Sequence, residues 1–130
     1  AAYRVGTRQL CIASLDAPLE GLVQTPFATL LVAYDLASGS KPEGATNRLL
    51  VLGSVELCAV GPEAEQLHDA LDAVLEASGA LEVVTTWHQS ISDACDYFLY
   101  AAAAGRANLL ALIGEHPELQ AMLVERARAL

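Results

Sequence analysis

The sequence predicts an α/β fold: three layers, with a mostly parallel sheet of about four strands and helices on both faces, in a Rossmann-like or flavodoxin-like arrangement. Three observations predict it. β-Branched and apolar runs alternate with segments whose apolar residues recur at helical spacing. The run Phe27–Tyr34 is nearly continuous in apolar residues, as a strand covered on both faces is. Gly and Pro punctuate the boundaries between these segments. At 130 residues the chain fits one domain and is long enough to bury a core without staples.

In chain order, residues 1–7 read as a flexible tail. Arg8–Ser14 has weak strand character, and Leu15–Gln24, with Asp16, Pro18 and Gly21, reads as a loop. Phe27–Tyr34 is the next strand. Residues 37–47 are rich in Ser, Gly and Pro and are expected to form a flexible loop. Leu49–Leu52 reads as the end of a short helix closed by Gly53, because a strand there would abut Val55–Val60 in a hairpin, and parallel strands need a crossover. Val55–Val60 is a strand, and Gly61-Pro62 ends it. Pro62 suits a first helical turn, and Leu67, Leu71, Val74, Leu75 and Ser78 form one stripe of the following helix, which Gly79 ends.

Leu81–His88 reads as a strand buried between helices, regular over Leu81–Thr86 and ending in the chain's one Trp and a His. Ser90-x-x-Asp93 is a capping-box pattern. It opens a helix over Ile91–Ala104, with Ile91, Ala94, Cys95, Phe98 and Ala102 inward and Gly105 at its end. Ala107–Ile113 is expected to be a short apolar helix stopped by Gly114, and a last helix starts at His116-Pro117 with Leu119, Met122, Leu123 and Leu130 on one face. The C-terminus is thus expected to be a helical pair.

Net charge is −9, from 16 acids against 7 bases. Such a surface repels phosphate, so no nucleic-acid partner is expected. No apolar run reaches the roughly 18–20 residues of a membrane span, and the first residues lack the basic and apolar regions of a signal peptide. Cys11, Cys58 and Cys95 are odd in number, far apart and set in apolar patterns, which suggests buried free thiols in a reducing compartment. A cytoplasmic protein is expected.

Ligands of open α/β sheets bind outside the carboxyl ends of the strands. The candidate catalytic residues are therefore His68 and Asp72, one turn apart on one helix, and His88 at a strand end. His68 also reads as a boundary residue of an amphipathic helix, and His88 as a capping or stacking side chain. Candidate binding residues are Thr86, Trp87, Asp69, Tyr97 and Tyr100, the tyrosines as exposed recognition groups. No ligand spacing supports a metal, and no glycine-rich phosphate loop or nucleophile elbow is present, so neither a metal nor a cofactor is expected.

Cys58-Ala59-Val60-Gly61-Pro62, His68-Asp69-x-x-Asp72 and Thr85-Thr86-Trp87-His88 together resemble a family of small uncharacterised bacterial proteins, over about Phe27 to Ala104. Val60 departs from that family's pattern, which often has Trp there. The resemblance implies no activity. It implies that the His68/Asp69/Asp72 and Thr86/Trp87/His88 groups belong to one set, and that a helix precedes Gly53. Two functional expectations follow. The first is a small acidic cytosolic protein-binding domain, such as an immunity or regulatory protein, with a basic protein as its partner and a homodimer left open. The second is a small hydrolase-like enzyme with a His/Asp site at the strand ends, for which His68 must approach His88.

Overall fold

The structure is a computed structural model that describes residues 1–39 and 41–130. Six strands form one sheet: β1 (Ala2–Val5), β2 (Arg8–Ala13), β3 (Phe27–Val32), β4 (Ser54–Val60), β5 (Val84–His88) and β6 (Asn108–Leu112). Their order across the sheet is β1-β2-β6-β3-β4-β5. β1 runs antiparallel to β2 and every other pairing is parallel. The main helices are α1 (Thr46–Leu52), α2 (Ala64–Ser78), α3 (Ile91–Asp96) and α4 (Pro117–Arg128).

The period-two alternation of strand side chains divides the apolar residues into two cores. Phe27, Leu31, Leu57, Ala59, Leu110 and Leu112 meet Leu49 of α1 and Leu67, Leu71 and Leu75 of α2 on one face. Ala28, Leu30, Cys58, Val60, Leu109 and Ala111 meet Ala94, Cys95 and Phe98, with Leu119 and Leu123 of α4, on the other. The apolar stripes read from the sequence are the inward faces of these helices, except that Ser78 at the end of α2 is exposed and Leu130 lies beyond α4 and is exposed. All three cysteines are buried and free.

Glycine is required where β4 gives way to α2. Gly61 has φ +131°, and a Cβ there would stand 2.7 Å from the Ala33 carbonyl oxygen. Its N–H donates to the His88 carbonyl at 3.1 Å, tying β5 to the end of β4. Gly53 closes α1 in the left-handed region as expected, its N–H reaching the Leu49 and Leu50 carbonyls.

Several expectations are corrected. The sheet has six strands, not about four. Residues 1–7 are no tail: β1 pairs with β2, and the Ala1 amino group donates to the Ile12 carbonyl at 3.0 Å. Ala107–Ile113 is not a helix. Its core is β6, inserted between β2 and β3, so the chain ends in a strand and one helix rather than a helical pair. A short Leu/Ala run suits either state locally, and burial between two strands decides it. An insertion of the last strand at the centre also departs from the Rossmann and flavodoxin orders, which place theirs at an edge.

The strand expected at Leu81–Thr86 begins three residues later, at Val84, and is the sheet's edge rather than a strand buried between helices. Within the expected 37–47 loop, Pro42–Ala45 forms a 3-10 turn and α1 starts at Thr46; Ser40 lies outside the described residues.

Candidate functional site

A charged residue interrupts the apolar strand β4. Glu56 is 3% exposed and points to the face covered by α3. A carboxylate is tolerated there because donors surround it. The Tyr97 hydroxyl donates to Oε2 at 2.6 Å and the Thr86 hydroxyl to the same oxygen at 3.3 Å. The Cys58 thiol approaches Oε2 at 3.5 Å, and the Ala103 N–H donates to Oε1 at 2.9 Å.

Local geometry explains how Ala103 arrives. The helix does not run on to Ala104 as expected. α3 widens into a π turn at Tyr97–Ala101, the kind of bulge that often marks functional sites. Ala103, Ala104 and Gly105 then take φ of +52°, +56° and +71°. Left-handed alanines cost about 1–2 kcal/mol each. The Glu56 carboxylate holds this turn at its first N–H.

The environment shifts its neighbours. Burial, then the Glu56 charge, pushes the Cys58 thiol well above its ordinary range. Burial and the bond to Glu56 push the Tyr97 phenol up. Burial pushes the Cys95 thiol up to about 11. Both thiols stay protonated at neutral pH, so neither is a poised nucleophile. Glu56 spends its lone pairs on donors from the protein, which suits a structural hub.

The opposite face carries a second arrangement. The Thr85 hydroxyl donates to Asp72 Oδ1 at 2.6 Å. His68 lies between two carboxylates, with Nε2 3.5 Å from Asp72 and Nδ1 3.3 Å from Asp69. His68, Asp69, Asp72 and Thr85 are thus one cluster on the α2 face. His88 and Thr86 belong to the α3 face, where the His88 ring packs at 5.1 Å against Tyr97. His68 and His88 therefore stand on opposite faces of the sheet. Trp87 is on the α2 side, 38% exposed at the open edge. Tyr100 is exposed as expected, whereas the Tyr97 hydroxyl turns inward to Glu56. Among the described residues no group of three or more His, Cys, Asp or Glu side chains is spaced to hold a metal ion.

Sequence reasoning missed Glu56 and Ala103. The lone acid inside Val-Glu-Leu-Cys-Ala-Val was the available signal. It also missed the distribution of charge. Residues 49–105 contain nine acids (Glu56, Glu63, Glu65, Asp69, Asp72, Glu76, Glu82, Asp93 and Asp96) and no Lys or Arg, while the remaining residues hold seven of each. The whole net charge of −9 therefore sits on the β4–α2–β5–α3 half. The exposed large apolar side chains collect there too. Val51, Val55, Leu81, Val84, Trp87 and Tyr100 all fall in residues 51–100, and among the described residues only Leu130 lies elsewhere.

The chain belongs to the family described as a domain of unknown function, DUF7684, which it matches over residues 9–124. No curated protein and no solved structure matches it.

Proposed function

We propose that this member of the DUF7684 family is an acidic, cytosolic protein-binding domain, an immunity or regulatory protein whose partner is a basic protein. The observation that carries this reading is the coincidence of three features on one side. β5 is an open sheet edge, Leu81, Val84 and Trp87 are exposed along it, and every charge of the surrounding segment except the histidines is acidic. Exposed apolar groups rimmed by charge mark interaction surfaces. An open edge offers unpaired backbone groups to an extended segment. An extended basic segment of another protein satisfies both, and complementary charge speeds its arrival. A second copy on this edge is disfavoured, because two acidic sides would meet.

The hydrolase-like alternative has less to rest on. The only groups in hydrogen-bond range of the His68 imidazole, among the described residues, are the carboxylates of Asp69 and Asp72. The Thr85 hydroxyl is turned to Asp72, not to the imidazole. A general base without a nucleophile or water-positioning group beside it has no reaction to serve.

The test places a photo-crosslinking residue at Val84 or, as a control, at Leu130 in the source cells. The expected result is one basic protein captured from Val84 and not from Leu130, in a complex that weakens as salt rises. Capture of an acidic protein, capture from Leu130 alone, or no capture from either position overturns the reading.

A further inference from the structure

The carboxyl ends of β2, β6 and β3 open on a cleft far from the β5 edge. After β3 the chain passes towards β4 on one side, while β6 on the other side leads into α4. The two connections part above the β3–β6 pair, the position where open α/β sheets bind ligands. The cleft has a volume of about 310 Å³, at the lower end of small-molecule sites. Val32 and Leu112 give it an apolar floor, Tyr34 and His116 an aromatic wall, and Asp16 and Glu115 an acidic rim. The aromatic pair is stacked, with centroids 4.7 Å apart and planes at 24°. A backbone bond ties two of the lips, the Gly114 N–H donating to the Ala13 carbonyl at 3.2 Å, and within one lip the Asp16 N–H donates to the Ser14 hydroxyl at 3.2 Å.

The charge of the lining selects the ligand. No Lys or Arg lines the cleft. Neither the Asp16 nor the Glu115 carboxylate has a hydrogen-bond or ion-pair partner among the described residues. Glu118 adds negative charge nearby: burial and then this charge push the Tyr34 phenol above its ordinary value. A phosphate or carboxylate would meet like charge and no cation. A cation would meet two carboxylates and the Tyr34 ring, whose π-system attracts positive charge.

We propose that this cleft is a binding site for a small organic cation, an amine or guanidinium on an apolar body, with the body on Val32 and Leu112 and the charge between Asp16 and Glu115. The site is independent of the β5 edge and does not rest on the protein-binding reading.

Titrating isotope-labelled protein with agmatine, tyramine, 4-ethylphenol and inorganic phosphate, read by backbone amide shifts, tests it. Agmatine or tyramine should move Gly114 and Glu115 with a Kd of about 1 mM or tighter. 4-Ethylphenol, which keeps the ring of tyramine and lacks its charge, should bind at least about threefold more weakly, and so should tyramine to the Asp16→Asn/Glu115→Gln variant. Both substitutions are on exposed side chains, and unchanged amide positions elsewhere verify that the variant is folded. Equal binding of 4-ethylphenol and tyramine, a response to phosphate alone, an undiminished affinity in the variant, or no shift with either cation overturns the proposal.

Discussion

Thr85 and Thr86 are neighbours in β5, and each gives its hydroxyl to a carboxylate, yet the two carboxylates sit in different media. Thr86 reaches Glu56, which is 3% exposed and collects four donors. Thr85 reaches Asp72, whose side chain is 43% exposed and whose other neighbour is His68. Strand alternation alone sends them to opposite faces. A buried carboxylate is costly to leave unpaired, and so are the donors that pair with it. An exposed one exchanges its partners for water at little cost. The inner cluster therefore bears on stability, and the outer one contributes little to it.

The largest expected effect is the gap between removing the two carboxylates. Glu56→Ala strands Tyr97, Ala103 and Thr86 and releases the left-handed turn, and should cost about 3 kcal/mol or more. Asp72→Ala should cost about 0.5 kcal/mol. Urea denaturation followed by circular dichroism measures both, and equal losses would break the comparison.

Alkaline pH sharpens it next. Tyr97 is held above its ordinary value of 10.0 by burial and by Glu56, and Cys95 is raised from 9.0 to about 11 by burial. For both groups the folded chain keeps a proton that the unfolded chain releases sooner. Their stabilisation is fully present below the unfolded values and is lost as pH rises through the folded ones. The urea midpoint should fall from about pH 9 upward. Tyr97→Phe should flatten the part of that fall above pH 10 while lowering neutral stability by about 1 kcal/mol. Asp72→Asn should leave the alkaline slope as it was.

The smallest contrast is between the threonines themselves. Thr86→Val should cost about 0.5–1 kcal/mol through the inner network, and Thr85→Val only a few tenths. The reverse order in thermal melts would place the outer cluster, not the inner one, in control of the strand.

Part of this was legible in the sequence. The helix stripes at Leu67, Leu71 and Leu75 and at Leu119 and Leu123 were readable because helical periodicity is local. So were β3 and β4, from their apolar runs, and the Ser90 cap, whose hydroxyl accepts the Asp93 N–H at 3.2 Å. The groups His68/Asp72 and Trp87/His88 were readable as chemically capable residues. Their division between the two faces of the sheet was not, because the face of each side chain follows from the strand's register, which leaves no local mark.

The sequence by itself determined the α/β class, the acidic composition and the helices that cover the sheet, because composition and periodicity are properties of short windows. Only the tertiary structure decided that Asn108–Leu112 is a central strand, that Val84–His88 is the open edge, and that Glu56 is sealed beneath Tyr97 and a left-handed turn. Those outcomes depend on partners from 28 residues away (Glu56 to Val84) to 99 residues away (Leu10 to Leu109) in the chain, and the free energy of burying a short apolar run or pairing a buried carboxylate exceeds the weak local preferences that a sequence displays.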